Sequence, residues 1–268
     1  MCTMPSGGWR LTRVGWLRRW GRADMAHLRC DFRSEALEMN TSMTVILPEK
    51  ADLSKGKVVY LLHGLEDNCT GWVRYTSVER YAREKGVALV IPEVQRSFYT
   101  DMDQGMAYFT FIHEELPEIC QGFFGFSGAR ERNYLMGLSM GGYGTLKCLL
   151  HTPQRYAGAA AFSAVADIEE FVQRQSSGEK RQLQAIFGRE LEIPDEANLL
   201  TLADRVDAKK LPKLYLACGE QDALYDANCR LAEKLEKLGA DIHFEHWQGI
   251  HNWAFWDEAV RRAMEELL

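Results

Sequence analysis

From Leu28 onward the chain alternates short apolar runs with amphipathic stretches. The segment "LRCDFRSEALEMNTSMTVILP" predicts two strands, the second alternating through Met43, Val45 and Leu47 until Pro48, which lacks a ladder N–H, ends it. "KVVYLLHG" and "VALVIPE" are continuous apolar runs, the pattern of strands buried on both faces. Between them "SVERYAREKG" predicts a helix closed by Gly86. Residues 105–122 predict a helix broken at Pro117. "NYLMGLS" predicts a strand, "GGYGTLKCLLH" a helix that stops before Pro153, and "YAGAAAFSA" another strand. Residues 167–210 are charged and helix-like, with no buried strand. The alternation then resumes with strand "KLYLACGE", helix "DANCRLAEKLEKLG", strand "IHFEHWQG" and a last helix from Trp253 to Leu268.

Strand and helix in turn, with short connections, predict an α/β fold with a mainly parallel central sheet covered by helices on both faces. Residues 25–268 form one domain in this reading, with 167–210 inserted as a small helical cap. Residues 1–24 stand apart: "GGWRLTRVGWLRRWGRA" carries five arginines, three tryptophans and no acid. Its charges interrupt any apolar h-region, and the segment is expected to be a disordered or artefactual extension.

Composition narrows the function. Of 268 residues 46% are hydrophobic and 26% charged, with a formal net charge of -6, which argues against a nucleic-acid or polybasic membrane partner. No apolar run approaches the roughly 20 residues of a membrane span. The seven cysteines are scattered and include no C-x-x-C pair, which predicts reduced thiols in a cytoplasmic protein rather than disulfides or a zinc site. "FIHEEL" has Pro117 where a zinc helix needs its second histidine, so no metal is expected.

The chemistry concentrates in "YLMGLSMGGYG". Gly137-Leu138-Ser139-Met140-Gly141 matches G-x-S-x-G between a predicted strand and a predicted helix, the context of a nucleophile elbow. Such a turn is too sharp for side chains at its flanking positions and lifts the serine oxygen above the sheet. Neither a dinucleotide loop nor a phosphate-binding P-loop pattern is present.

A serine needs a base, and the base an orienting acid. Eight aspartates follow Ser139, of which Asp222 lies just after a buried strand, while Asp226 is expected to cap the next helix. Beyond Asp222, His243 and His246 lie inside a predicted strand as structural residues, and His251 lies in the loop before the last helix. Ser139, Asp222 and His251 are therefore the predicted catalytic residues, each at a strand's C-terminal edge. The backbone amides of Met140 and of Leu65, in "LLHGLEDN", are the expected oxyanion donors, with Gly64 permitting close approach and His63 supporting the loop. Trp72, Phe98, Tyr99, Tyr225 and Trp253 fall in or beside loops expected to face the serine, and Trp72, Tyr99, Tyr225 and Trp253 are taken as substrate-binding.

"LLHGLEDNCTGWVRYTSVERYA", "GLSMGGYG", "CGEQD" and "GIHNWAFW" together resemble the esterase D-like branch of the α/β-hydrolases, and within it most closely the tributyrin esterases. The resemblance spans about residues 25–268. It implies a cofactor-free Ser–His–Asp hydrolase of short-chain carboxylic esters, with Ser139, His251 and Asp222 at the matching positions. Its expected partner is a small-molecule ester, with a homo-oligomer left open. S-formylglutathione hydrolases share the serine elbow but carry an acid before the catalytic histidine, where this chain has Ile250. Feruloyl or acetylated-polysaccharide esters and acyl transfer remain open alternatives on the same fold.

Overall fold

The computed structural model describes residues 25–48 and 52–268; the expectation for residues 1–24 lies outside them. A single eight-stranded sheet runs through the described chain in the order β1-β2-β4-β3-β5-β6-β7-β8. Strands β1 (Met25–Ser34) and β2 (Met39–Pro48) form an antiparallel hairpin, and β2 also runs antiparallel to β4. The remaining strands, β3 (Val58–Leu62), β4 (Ala88–Pro92), β5 (Asn133–Leu138), β6 (Gly158–Phe162), β7 (Lys213–Gly219) and β8 (Ile242–Trp247), pair in parallel. Every residue of β3, β4, β5 and β6 is buried, as the continuous apolar runs of β3 and β4 predict.

Helices cover both faces. On one lie α1 (Gly71–Tyr75), α2 (Val78–Lys85) and the C-terminal α10 (Trp253–Leu267), whose apolar stripes close a core around Val59, Leu61, Met136 and Ala160. On the other lie α3 (Tyr108–Thr110), α4 (Leu116–Phe124), α5 (Met140–His151), α8 (Leu199–Arg205) and α9 (Tyr225–Lys237). Between β6 and β7 the chain makes α6 (Ile168–Arg174), α7 (Ser177–Phe187) and α8 but no strand. Asp167 and Ser176 start α6 and α7 by accepting the Glu170 and Glu179 N–H groups, and Ser176 with Glu179 completes a capping box.

Two local expectations change. Helix formation starts at Tyr108 rather than Gly105 and passes through Pro117 without a break. The five residues before α4, Phe111–Glu115, form a π turn. The His113 carbonyl, deprived by Pro117 of its α-helical donor, accepts from the Arg155 guanidinium. Asp226 does not cap α9: the helix begins at Tyr225, and Asp226 sits exposed in its first turn, where a negative charge faces the helix's positive end.

Phe98 and Tyr99, after β4, are consecutive non-glycine residues at φ 51° and 49°, both fully buried. Each left-handed residue costs about 1–2 kcal/mol, so this turn persists only because its surroundings hold it.

Candidate active site

The C-terminal ends of parallel strands β5, β7 and β8 lie on one edge of the sheet, and each leads into a loop carrying one predicted catalytic side chain. Ser139 sits between β5 and α5 at φ 53°, ψ -116°, a conformation that side chains rarely adopt. Its turn is tied down by its N–H to the Phe162 carbonyl (2.8 Å) and by the Val165 N–H to its own carbonyl (3.3 Å). Both motif glycines are sterically required. A Cβ on Gly137 would stand 2.3 Å from the Gly141 carbonyl oxygen, and one on Gly141 2.4 Å from that of Leu62. Thus the crowding lies against β3 as well as within the turn.

His251 Nε2 lies 2.9 Å from Ser139 Oγ, and its Nδ1 lies 2.8 Å from Asp222 Oδ2. With the carboxylate accepting at Nδ1–H, Nε2 is left to accept from the serine hydroxyl. The Asp222 side chain is fully buried and that of His251 is 37% exposed, so the carboxylate is shielded while the imidazole faces the cavity. Burial is the largest influence on the Asp222 carboxyl and pushes its pKa up. The His251 hydrogen bond and charge, the Leu224 N–H (2.9 Å) and Ser163 outweigh it and hold the carboxyl below its ordinary value. Two hydrogen bonds clamp the loops of Asp222 and His251 together: Gln221 N–H to the Gly249 carbonyl (3.0 Å), and Gly249 N–H to Gln221 Oε1 (2.8 Å). His243 and His246 instead stand exposed on half-buried β8, against Glu266 and Glu220.

Leu65 and Met140 both line the cavity in front of Ser139. The Met140 N–H opens α5, where a helix has no acceptor of its own to offer, and the Leu65 N–H makes no bond to another backbone group among the described residues. His63 is buried and neutral, its pKa lowered chiefly by burial against the pull of Glu93. Its Nδ1–H donates to the Gly64 carbonyl (2.8 Å) and its Nε2 accepts the Val94 N–H (3.2 Å). Because a trans peptide points its N–H opposite to its C=O, this bond fixes the direction of the Leu65 amide.

The cavity measures about 790 Å³. Phe98 and Trp253 line it, as expected, but three of the predicted aromatics do not reach it. Trp72 is fully buried behind Trp253, with its indole N–H on the Leu62 carbonyl (3.0 Å). Tyr99 is buried against Gly144 of α5 and donates to the His63 carbonyl (2.9 Å). Tyr225 packs on Phe244 and His246 at a separate groove, because the first turn of α9 carries it away from the serine. Sequence reasoning missed Trp256, whose ring stands perpendicular to that of His251 with centres 4.8 Å apart and whose N–H donates to Ser163 (3.2 Å). It also missed Phe171, Gln175 and Glu179, by which α6 and α7 join the wall. A polar residue ending the all-apolar run "GAAAF" was the available signal for Ser163.

Residues 34–267 match the Esterase family, described as "Putative esterase". The chain belongs to that family. It is 29% identical to an acetyl esterase of Caldicellulosiruptor saccharolyticus, covering 90% of this chain and 97% of the relative. Among solved structures it is similar to the substrate-bound Staphylococcus aureus fluorophosphonate-binding serine hydrolase FphF (32% identity, TM-score 0.82, 91% of this chain and 98% of that one). It is also similar to the S-formylglutathione hydrolase FrmB of the same organism (33% identity, TM-score 0.81, with the same coverage). The enzyme is accordingly a serine hydrolase of carboxylic esters on an α/β-hydrolase fold. No helix of the described residues is long and apolar enough to cross a membrane.

Proposed function

We propose that the enzyme hydrolyses short-chain acyl esters, in the manner of a tributyrin or acetyl esterase, with Ser139 as nucleophile, His251 as general base and Asp222 as the orienting acid. The observation that carries this reading is the continuous hydrogen-bond chain Ser139–His251–Asp222 beside the amides of Leu65 and Met140. Ser139 Oγ attacks the acyl carbon as its proton passes to His251 Nε2, and the imidazolium formed is stabilised by ionised Asp222. The oxyanion is received by the two amides. His251 returns the proton to the leaving alcohol, and water repeats the sequence to free the acid. Helices α6 and α7 act as a small cap that narrows the entrance. The scattered cysteines, with no C-x-x-C pair among them, favour a reducing compartment.

Phe98, Phe171 and Trp253 in the wall support a short acyl part. Each buried methylene contributes about 0.8 kcal/mol until the wall is met, after which overlap reverses the gain. Acetyl to butyryl nitrophenyl esters should therefore give the highest kcat/KM, with a steep fall by octanoyl. A maximum at eight carbons or more would reject the short-acyl assignment.

Charge around the serine selects the leaving part of the ester. Glu66, Asp67 and Glu179 line the cavity with Asp222, and no lysine or arginine among the described residues does. Arg96, which donates to the Leu65 carbonyl of the oxyanion loop, is also held by Gln182. This favours a neutral leaving group over the net-negative glutathione of the S-formylglutathione hydrolases. At low salt an S-acylglutathione should show a kcat/KM about tenfold or more below that of a neutral thioester with the same acyl group, with the gap closing as salt is added. Equal turnover of the two would favour the glutathione thioester instead.

A further inference from the structure

Lys147 is the only buried lysine or arginine among the described residues, 2% exposed on α5 about two turns beyond Ser139. The mechanism above gives it no part, yet burying an ammonium is unfavourable unless its donors are used. Burial brings its pKa down to about 8, against the opposing pull of Cys148 on its own helix, Asp101 in the loop after β4, and Glu196 in the turn before α8.

Its donors are used in one place. Nζ donates to the Tyr99 carbonyl (3.3 Å) and to Thr100 Oγ1 (3.0 Å), and it stands 4.7 Å from the centre of the Phe109 ring. Thr100 Oγ1 in turn donates to the Phe98 carbonyl (2.8 Å). The ammonium therefore holds both carbonyls of the left-handed pair, that of Tyr99 directly and that of Phe98 through Thr100. Both residues of that pair lead to the catalytic centre. Phe98 forms part of the wall in front of Ser139. Tyr99 donates its hydroxyl to the carbonyl of His63, the residue whose ring fixes the Gly64–Leu65 peptide.

We propose that Lys147 is a positioning residue for ester hydrolysis: its ammonium holds the Phe98–Tyr99 turn against its backbone strain, and thereby sets both the acyl wall and the oxyanion loop. A neutral side chain of similar length could fill the space, but it could not present several N–H donors to two acceptors at once. The proposal rests on reading Leu65 as an oxyanion donor, and on Phe98 as a boundary for the acyl chain.

The test uses Lys147→Met, Tyr99→Phe and their combination, assayed with acetyl, butyryl and octanoyl nitrophenyl esters. Lys147→Met should lower kcat for the acetyl ester about tenfold or more with KM changed far less, since the loosened groups act on the transition state. It should also raise the octanoyl-to-acetyl ratio of kcat/KM severalfold as Phe98 gives way. Tyr99→Phe cuts the arm to His63 alone, so it should lower kcat without moving that ratio. The double variant should lose less than the product of the two single losses, because both act on one path. A folded Lys147→Met with kcat within twofold of wild type and an unchanged chain-length ratio would overturn the proposal. Should Lys147→Met not fold, Thr100→Val removes the link to Phe98 alone and must shift the ratio in the same direction; an unchanged ratio there overturns it equally. Fluorophosphonate labelling of wild-type Ser139 separates these outcomes from failure of the nucleophile assignment, which would abolish labelling whatever Lys147 does.

Discussion

Ser139→Ala should remove nearly all esterase activity from a protein that remains folded. The expected loss is on the order of 10⁶ in turnover, because nucleophile, base and acid act as one unit and a residue of catalysis survives only through binding and the oxyanion donors. The fold should tolerate the exchange. The hydroxyl makes no helix-capping bond, and the turn is held by backbone bonds to Phe162 and Val165 that alanine keeps. The measurement is kcat for nitrophenyl acetate, paired with labelling by a fluorophosphonate, which wild type should take up and the variant should not. Turnover within tenfold of wild type, or labelling that persists in the variant, would move the nucleophile elsewhere.

How much of this was legible beforehand follows from which interactions decide each feature. The parallel strands were readable because burial on both faces demands an unbroken apolar run, and "VVYLL", "ALVIP" and "GAAAF" supply one. The positions of Ser139, Asp222 and His251 were readable for a related reason: in a parallel sheet the loops after successive strands emerge on one edge, so order along the chain already implies proximity. The course of the chain at Pro117 was not readable, since Arg155, far along the chain, supplies the donor that the proline removes. Nor were the roles of Trp72 and Tyr99. Both belong to segments that border the site, but the direction of a ring depends on tertiary partners, here the Leu62 and His63 carbonyls. The left-handed pair Phe98–Tyr99 carries no glycine to announce it, and its support comes from Lys147, far along the chain on α5.

Asp222→Asn should leave a folded enzyme with kcat lowered by about 10⁴, the size of loss seen where an asparagine replaces the acid of such a triad and favours the wrong imidazole tautomer. The geometry supplies the cause. Asp222 Oδ2 accepts from His251 Nδ1–H, leaving Nε2 free to take the serine proton. An amide that turned its NH₂ toward Nδ1 would force the proton to Nε2 and block that step. The carboxyl also contributes to stability with a definite sign. Its pKa is held below the ordinary value, so its contribution is fully present above the unfolded aspartate range and is lost as pH falls through the lower folded value. At neutral pH the asparagine variant should therefore unfold somewhat more easily than wild type, and the difference should close in acid as wild-type Asp222 protonates. Asp226→Asn is the control. That side chain is exposed in the first turn of α9, and its loss should leave kcat within about twofold of wild type, as for surface changes away from a site. Paired kcat measurements and urea titrations at neutral and acid pH read both effects. A crippled Asp226→Asn beside an active Asp222→Asn would overturn the choice of acid, and with it the role given to the buried carboxylate behind His251.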